Sequence, residues 1–212
     1  MTVRYISDNV PADRTMEEFV AYVARVSNPA NQANHDTAPK LVRYLATHKH
    51  WSPFEMVTIT MEIETTRDIA RQMLRHRSFS FQEFSQRYAV VDEPPMFREA
   101  RLQDMKNRQN SIETDDAELR MKWDELQSIV YDEAFAAYHW AIDNGIAKEV
   151  ARAVLPEGLT MSRMYMSGTL RSWLHYCQLR RGSGTQKEHM AIAEECWQLI
   201  VAKMPSIVEV ME

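Results

Sequence analysis

The clearest alternation along the chain falls at residues 56–64, MVTITMEIE. Val57, Ile59, Met61 and Ile63 share one side and Thr58, Thr60 and Glu62 the other, which predicts a strand with one apolar face. Residues 3–6 predict a short opening strand, and 80–91 and 159–166 two further strand-like stretches. Between these the period is helical. Asp13 or Thr15 caps a helix to about residue 26, with Phe19, Val20, Val23 and Ala24 inward. A polar loop at 27–35 leads to a second helix from Asp36 or Thr37, with Pro39 in its first turn and Leu41, Val42, Leu45 and Ala46 inward. Residues 48–55 end that helix and turn. Thr65 or Thr66 caps a third, whose apolar stripe is Ile69, Ala70, Met73 and Leu74.

Pro94-Pro95 breaks the pattern, and the weakly periodic, charged stretch 97–111 is expected to be a mobile surface excursion. Residues 114–144 predict a long scaffold helix, stopped by Gly145. Its apolar stripe is Leu119, Trp123, Leu126, Val130, Phe135, Tyr138 and Ile142. Helices follow at 146–155, showing Arg152, at 168–179, with Arg171 and His175, and at 186–204, ended by Pro205; 180–184 is a turn. With no internal repeat or linker, the expectation is one domain over 1–212, of mixed helix and sheet.

The chain is long enough for one sizeable core, and 45% hydrophobic with 26% charged residues is ordinary for a globular protein. A net charge of -5 argues against a general nucleic-acid surface. Cys177 and Cys196 form no CxxC, which fits a reducing cytoplasm. No apolar run is long enough to span a bilayer, and the first residues lack a signal core. His48 and His50, spaced i, i+2 with no nearby Cys or HExxH, do not make a metal site, so no metal is expected. The five glycines form neither GxGxxG nor GxxxxGK[ST]. Phosphate binding would therefore fall to arginines and helix N-termini.

Against that acidic background, residues 67–88 read RDIARQMLRHRSFSFQEFSQRY, with five arginines and a histidine. Arg67, Arg71 and Arg75 recur every four residues, a spacing at which like charges repel unless carboxylates or a bound anion offset them. The cluster continues into a Ser-, Gln- and aromatic-rich segment that a solubility face does not need. Arg75, Arg77, Arg87, Arg152, Arg171, Arg180 and Arg181 are the candidates to surround an anion, with Glu83 and Ser85 as hydrogen-bonding neighbours. The cysteines lie in apolar helical patterns and Ser85 has no triad partners in sequence, so no nucleophile stands out. From the residues alone the chain is an enzyme or binder for phosphorylated small molecules.

Arg75-His76-Arg77, seven residues, then Ser85 resembles the RHRx7S signature of the flavin-dependent thymidylate synthases. Gln72, Glu83 and Arg87 fall at the family's spacing. So do His50-x-Ser52-Pro53-Phe54-Glu55, Ala151-Arg152-x-Val154-Leu155-Pro156, Arg171-Ser172 and Leu179-Arg180. The resemblance implies an α+β fold, a single domain of mixed helices and antiparallel sheet. It implies conversion of dUMP to dTMP with methylenetetrahydrofolate as carbon donor and FAD, reduced by NADPH, as hydride carrier. It also implies a homotetramer with active sites between subunits.

Position by position, the resemblance implies dUMP contacts at Gln72, Arg75, Glu83, Ser85, Arg87, Arg152 and Arg180. It implies FAD contacts at His50, Ser52, Glu55, Arg75, His76, Arg77, Ser78, Arg171 and His175. Arg75, Arg180 and Ser85 form the implied catalytic set, the serine as a binding group. Arg67 and Arg71 are expected to be structural or peripheral. Three positions depart from the family pattern: Met56 and Gly184 stand where a histidine is common, and His175 where an asparagine is. At Gly184, Arg181 or the neighbouring backbone is expected to compensate. Two competing readings are a nucleotide-binding homologue without catalysis and a nucleic-acid binder using residues 67–87.

Overall fold

The structure, a computed structural model, describes residues 1–211; Glu212, the last residue of the expected 1–212 domain, lies outside the described residues. The chain opens with strand β1 (Thr2–Asp8) and helices α1 (Met16–Ala24) and α2 (Ala38–Thr47). A 3-10 turn at Ser52–Met56 leads into β2 (Thr58–Thr66). Helix α3 (Arg67–Met73) is followed by β3 (Phe79–Glu83). A small hairpin, β4 (Arg101–Gln103) and β5 (Ser111–Glu113), precedes the long α4 (Ala117–Asp143) and the short α5 (Lys148–Ala151). Strand β6 (Met161–Thr169) runs into α6 (Leu170–Arg180), and α7 (Lys187–Lys203) and α8 (Val208–Met211) complete the described chain. No helix among the described residues is long and apolar enough to cross a membrane.

Strands β1, β2, β6 and β3 form one antiparallel sheet in that order, the expected α+β arrangement. The alternation read at 56–64 has its cause here: Val57, Ile59, Met61 and Ile63 are all fully buried, in one cluster with Met164 and Met166 of β6. Trp173 of α6 and Trp197 of α7 lie in the same cluster, and Trp173 donates from Nε1 to the Ile59 carbonyl at 3.1 Å. That bond satisfies the indole's one polar group in an otherwise apolar place.

The ends of the helices follow local chemistry. Thr15, not Asp13, caps α1 through a reciprocal box: Glu18 N donates to Thr15 Oγ1 at 3.2 Å, and Thr15 N donates to Glu18 Oε2 at 2.7 Å. Thr66 caps α3 in backbone conformation only; its hydroxyl donates to Asp68 instead.

One close approach fixes how β3 docks. Gly168 of β6 pairs with Phe79 of β3 and Ile59 of β2. A Cβ at residue 168 would lie 2.4 Å from Phe79 Cδ1, so only glycine lets that ring lie against the sheet. Phe79 then packs edge-on against Trp173, with ring centres 4.8 Å apart.

Four expectations change. The stretch 80–91 is a strand only to Glu83; Ser85 O accepts from Tyr88 N and Ala89 N, which turns the chain. The helix expected over 146–155 is reduced to α5 and a 3-10 turn at Arg152–Val154. The stretch 97–111 is an anchored strap, not a loose one. Arg98 bonds Asp68 at 2.9 Å and exchanges two backbone bonds with the Gln127 amide, and Arg101 reaches Glu188 at 2.7 Å. Finally, the α4 stripe divides. Phe135 and Tyr138 are buried in a second small cluster with Val91, Ala151 and Leu155, whereas Leu119, Trp123, Leu126 and Val130 are exposed.

Candidate active site

Helix α6 carries two stripes with different tasks. Arg171, His175 and Gln178, at i, i+4 and i+7, lie on one side. They form the wall of a cavity of about 780 Å³ together with Ser172, Lys49, Trp51, Glu55 and Ser78. Arg171 is ion-paired to Glu55 across it. Four of the nine expected FAD contacts (Glu55, Ser78, Arg171 and His175) therefore meet on one surface. His50 and Ser52 are exposed and do not line it; His50 stands with Tyr44 and His48 in a ring cluster at the end of α2. Lys49 has φ 57°, an uncommon left-handed conformation for a lysine, and sits on the cavity wall.

The other stripe of α6 carries Tyr176 and Arg180. Arg180 Nε donates to His76 Nε2 at 2.9 Å, and the His76 ring lies edge-on to Tyr176 with centres 5.0 Å apart. Burial, then the neighbouring charges of Arg180 and His175, lowers the His76 pKa to about 4. The imidazole is therefore a neutral acceptor at pH 7, with its proton on Nδ1. Because Nε of Arg180 is engaged, the two Nη groups remain for an external acceptor. Arg75 and Arg77 flank His76 in the exposed turn between α3 and β3. Neither has a side-chain hydrogen bond or ion pair among the described residues.

A third group gathers where β3 ends. Glu83 Oε1 accepts from Ser162 Oγ at 2.8 Å and pairs with the buried Arg67 at 3.3 Å, so the carboxylate is held with one oxygen to spare. The turn that follows presents Ser85 and Arg87. Lys148 Nζ donates to Tyr88 O at 2.9 Å and docks this turn on α5, and Arg87 pairs with Glu149 at 3.2 Å. Arg152 is three residues beyond Glu149, one helical turn away. Arg87 thus stands against α5, the short helix that leads into the turn carrying Arg152.

Helix α3 connects the groups. Arg67 at its start contacts Glu83, and Gln72 at its end donates to Gln186 at 2.7 Å. Arg71 is tied to Glu157. The repulsion implied by the four-residue arginine spacing is offset by Glu83 and Glu157, and Arg67 and Arg71 are structural, as expected. Arg181 bonds Glu194 at 2.5 Å and lies over the Trp197 ring, so it does not stand in for the histidine missing at Gly184. Both cysteines are buried, and burial pushes both thiols up, away from nucleophilic thiolate.

Several of these positions were not foreseen. Ser172 is adjacent to Arg171, but Lys49, Trp51 and Gln178 carry no motif. The buried His189 behind Gln72 looks in sequence like any core position.

The sequence profile of the family described as thymidylate synthase complementing protein matches residues 10–206. A protein of Paramecium bursaria Chlorella virus 1, named probable flavin-dependent thymidylate synthase, is 49% identical over 93% of this chain and 91% of its own length. The flavin-dependent thymidylate synthase of Synechocystis sp. is 44% identical over the whole of both chains. Among solved structures, a UMP/dUMP methylase, PolB, from Streptomyces cacaoi with bound 5-Br dUMP is similar over 99% of this chain and 93% of that one. Its TM-score is 0.81 and its identity 29%.

Proposed function

The chain belongs to the flavin-dependent thymidylate synthases, and from that membership we propose that it methylates dUMP to dTMP. The observation that carries the reading in this chain is the course of residues 72–87. Gln72 bonds Gln186, the exposed Arg75 and Arg77 follow, Ser78 lines the cavity, and the turn after β3 sets Arg87 against Glu149 of α5.

The cavity fits a flavin. Its volume of about 780 Å³ is within the roughly 300–1,000 Å³ of cofactor pockets. Its lining combines Lys49 and the Arg171–Glu55 pair with serine hydroxyls, an amide and the Trp51 ring, groups that can meet a diphosphate joined to flat rings. We take the flavin to be FAD, with NADPH as reductant and methylenetetrahydrofolate as carbon donor. When bound and reduced, the flavin supplies hydride to the pyrimidine. The protein's part is positioning and charge. Arg87 and Arg152 bind the phosphate, helped by Gln72 and Ser85, and Glu83 accepts from the ribose. Arg180, steered by neutral His76, and Arg75 point fixed donors at the uracil and stabilise the negative charge that develops on the ring.

Family membership also brings the expectation of a homotetramer with active sites between subunits. Exposed Leu119, Trp123, Leu126 and Val130 on α4 supply an apolar stripe suited to a second copy.

The test is spectroscopic and chemical. Purified protein given FAD should show oxidised-flavin absorbance that bleaches with NADPH, and should form dTMP only when dUMP and methylenetetrahydrofolate are both present. Protein that is folded and takes up FAD but forms no dTMP would reduce the reading to a binder without catalysis. Failure to take up FAD would remove it.

A further inference from the structure

Behind Gln72, buried and half-buried side chains form one directional row of hydrogen bonds. Glu188, buried at the start of α7, accepts from Arg101 Nη2 at 2.7 Å and from Gln186 Nε2 at 2.9 Å. Burial alone would raise its pKa, but the bonds from Arg101, its own backbone N–H and Gln186 hold it below the ordinary range, so it only accepts. Gln186 therefore turns its NH₂ toward Glu188 and its oxygen toward Gln72. That oxygen accepts from Gln72 Nε2 at 2.7 Å, which directs the Gln72 oxygen to His189 Nδ1 at 3.3 Å. An amide oxygen has no proton to give, so Nδ1 carries it. His189 Nε2 is then left to accept from the Tyr176 hydroxyl at 3.1 Å. The row requires a neutral imidazole; burial, then the charges of Arg180 and His76, provides one by lowering the His189 pKa to about 3.

We propose that His189 is a positioning residue for the nucleotide: braced by Tyr176, it holds the Gln72 carbonyl so that the remaining amide N–H of Gln72 faces the ligand as a donor to a phosphate oxygen. This rests on the assignment of Gln72 to the nucleotide site above. The polarity is set from the Glu188 end of the row, where the carboxylate can only accept. A flipped Gln72 would aim its oxygen at the Gln186 oxygen, a repulsive contact in place of a bond, and would force His189 into the other tautomer. Gln72 is thus committed to recognise an acceptor, and His189 acts without touching substrate.

The experiment uses the flavin-loaded protein with dUMP as varied substrate. His189→Leu keeps bulk and removes both nitrogens, and His189→Gln keeps a donor and an acceptor. His189→Leu should raise the KM for dUMP roughly tenfold, with kcat and flavin content near wild type. His189→Gln should recover most of the loss. An unchanged KM in His189→Leu overturns the proposal, as does an equal fall of kcat and flavin content in both variants. A readout independent of variant folding is the ¹⁵N shift of the His189 imidazole in wild type between pH 8 and 6. The proposal expects the Nδ1–H tautomer, and an Nε2–H tautomer overturns it. A wild type that binds flavin but ignores dUMP fails the functional reading; a wild type that turns over dUMP while His189→Leu behaves identically fails only the role of His189.

Discussion

Replacing Gly168 with alanine places a Cβ 2.4 Å from Phe79 Cδ1 and 2.8 Å from Cε1. Carbon atoms in contact sit at about 3.5–4.0 Å, so the ring must retreat by about 1 Å. It has little room: Trp173 lies edge-on at 4.8 Å between ring centres and Tyr176 at 6.1 Å, both fully buried. Overpacking of this kind costs about 1–3 kcal/mol. In a chain of this length that is roughly 2–4 °C in melting temperature per kcal/mol. Ser78 on the cavity wall immediately precedes Phe79, so flavin retention should weaken along with stability. The assay is a thermal melt with flavin absorbance per protomer. Gly158→Ala is the control, since nothing lies within 4 Å of its added Cβ. A Gly168→Ala, Phe79→Leu double variant should be less destabilised than the sum of the two singles, because the smaller side chain vacates the space the methyl needs. Full stability of Gly168→Ala alone, or strict additivity in the double variant, would refute the account of how β3 docks.

Arg180→Ala should lower kcat/KM for dUMP by about 10²-fold while flavin content stays near wild type; equal loss of both in a folded protein would mean the two ligand sites were divided wrongly. Glu149→Gln releases Arg87 from an exposed ion pair worth at most about 1 kcal/mol, so the KM for dUMP should fall by up to about fivefold. A raised KM would place Glu149 on the nucleotide's side. His189 has a folded pKa of about 3, below its ordinary 6.5, so its contribution to stability is complete above pH 6.5 and is lost as pH falls toward 3. Melting temperature should therefore decline as pH falls below 6.5, with His76 sharing in the loss, and His189→Gln should make that decline shallower; an identical slope would contradict the burial of a neutral ring. Ellman's reagent should label neither cysteine in the native protein and both in denaturant, and rapid native labelling would refute their burial.

The strand at 58–66 was legible because one face meets a core and the other does not, which writes a period of two into the sequence. The strand after it was drawn too long for the same reason in reverse. Phe84, Val90 and Val91 continue an apolar signal, but the backbone bonds to Ser85 O that turn the chain leave no trace in composition. The stripe of α4 shows a different limit. Period says which side is apolar, not what covers it. The chain's own core covers Phe135 and Tyr138, while Leu119 to Val130 face outward. In the proposed site, the concentration of arginines singled out Arg75, Arg77 and Arg87 with Glu83 and Ser85, while His76 and Ser78 came only through the resemblance to the family. Local spacing was silent on Gln186, His189 and Tyr176, whose meaning comes from contacts that join Gln72 to residues more than a hundred positions away.

The arginines explain how an acidic chain keeps an anion site from neutralising itself. Where arginines have a structural task, a carboxylate of the protein is built against them: Glu83 beside Arg67, Glu157 beside Arg71, Asp68 beside Arg98, Glu188 beside Arg101. Where the proposed ligands go, the pattern changes. Arg75, Arg77 and Arg152 have no carboxylate partner among the described residues, and Arg180 is held by a neutral histidine. A histidine that stayed protonated there would repel Arg180, and a carboxylate would compete with the nucleotide for it. A half-buried, neutral imidazole does neither. It orients the guanidinium through Nε and leaves the charge undiminished. Arg87 is the intermediate case, paired with Glu149 at an exposed surface where the pair is weak enough for a phosphate to replace. Arg171, ion-paired to Glu55 on the cavity wall, is the exception; on the nucleotide side the cations stay largely unpaired in a molecule of net charge -5. A bound phosphate would meet little internal competition, which is the electrostatic condition for a tight anion site without a glycine-rich loop.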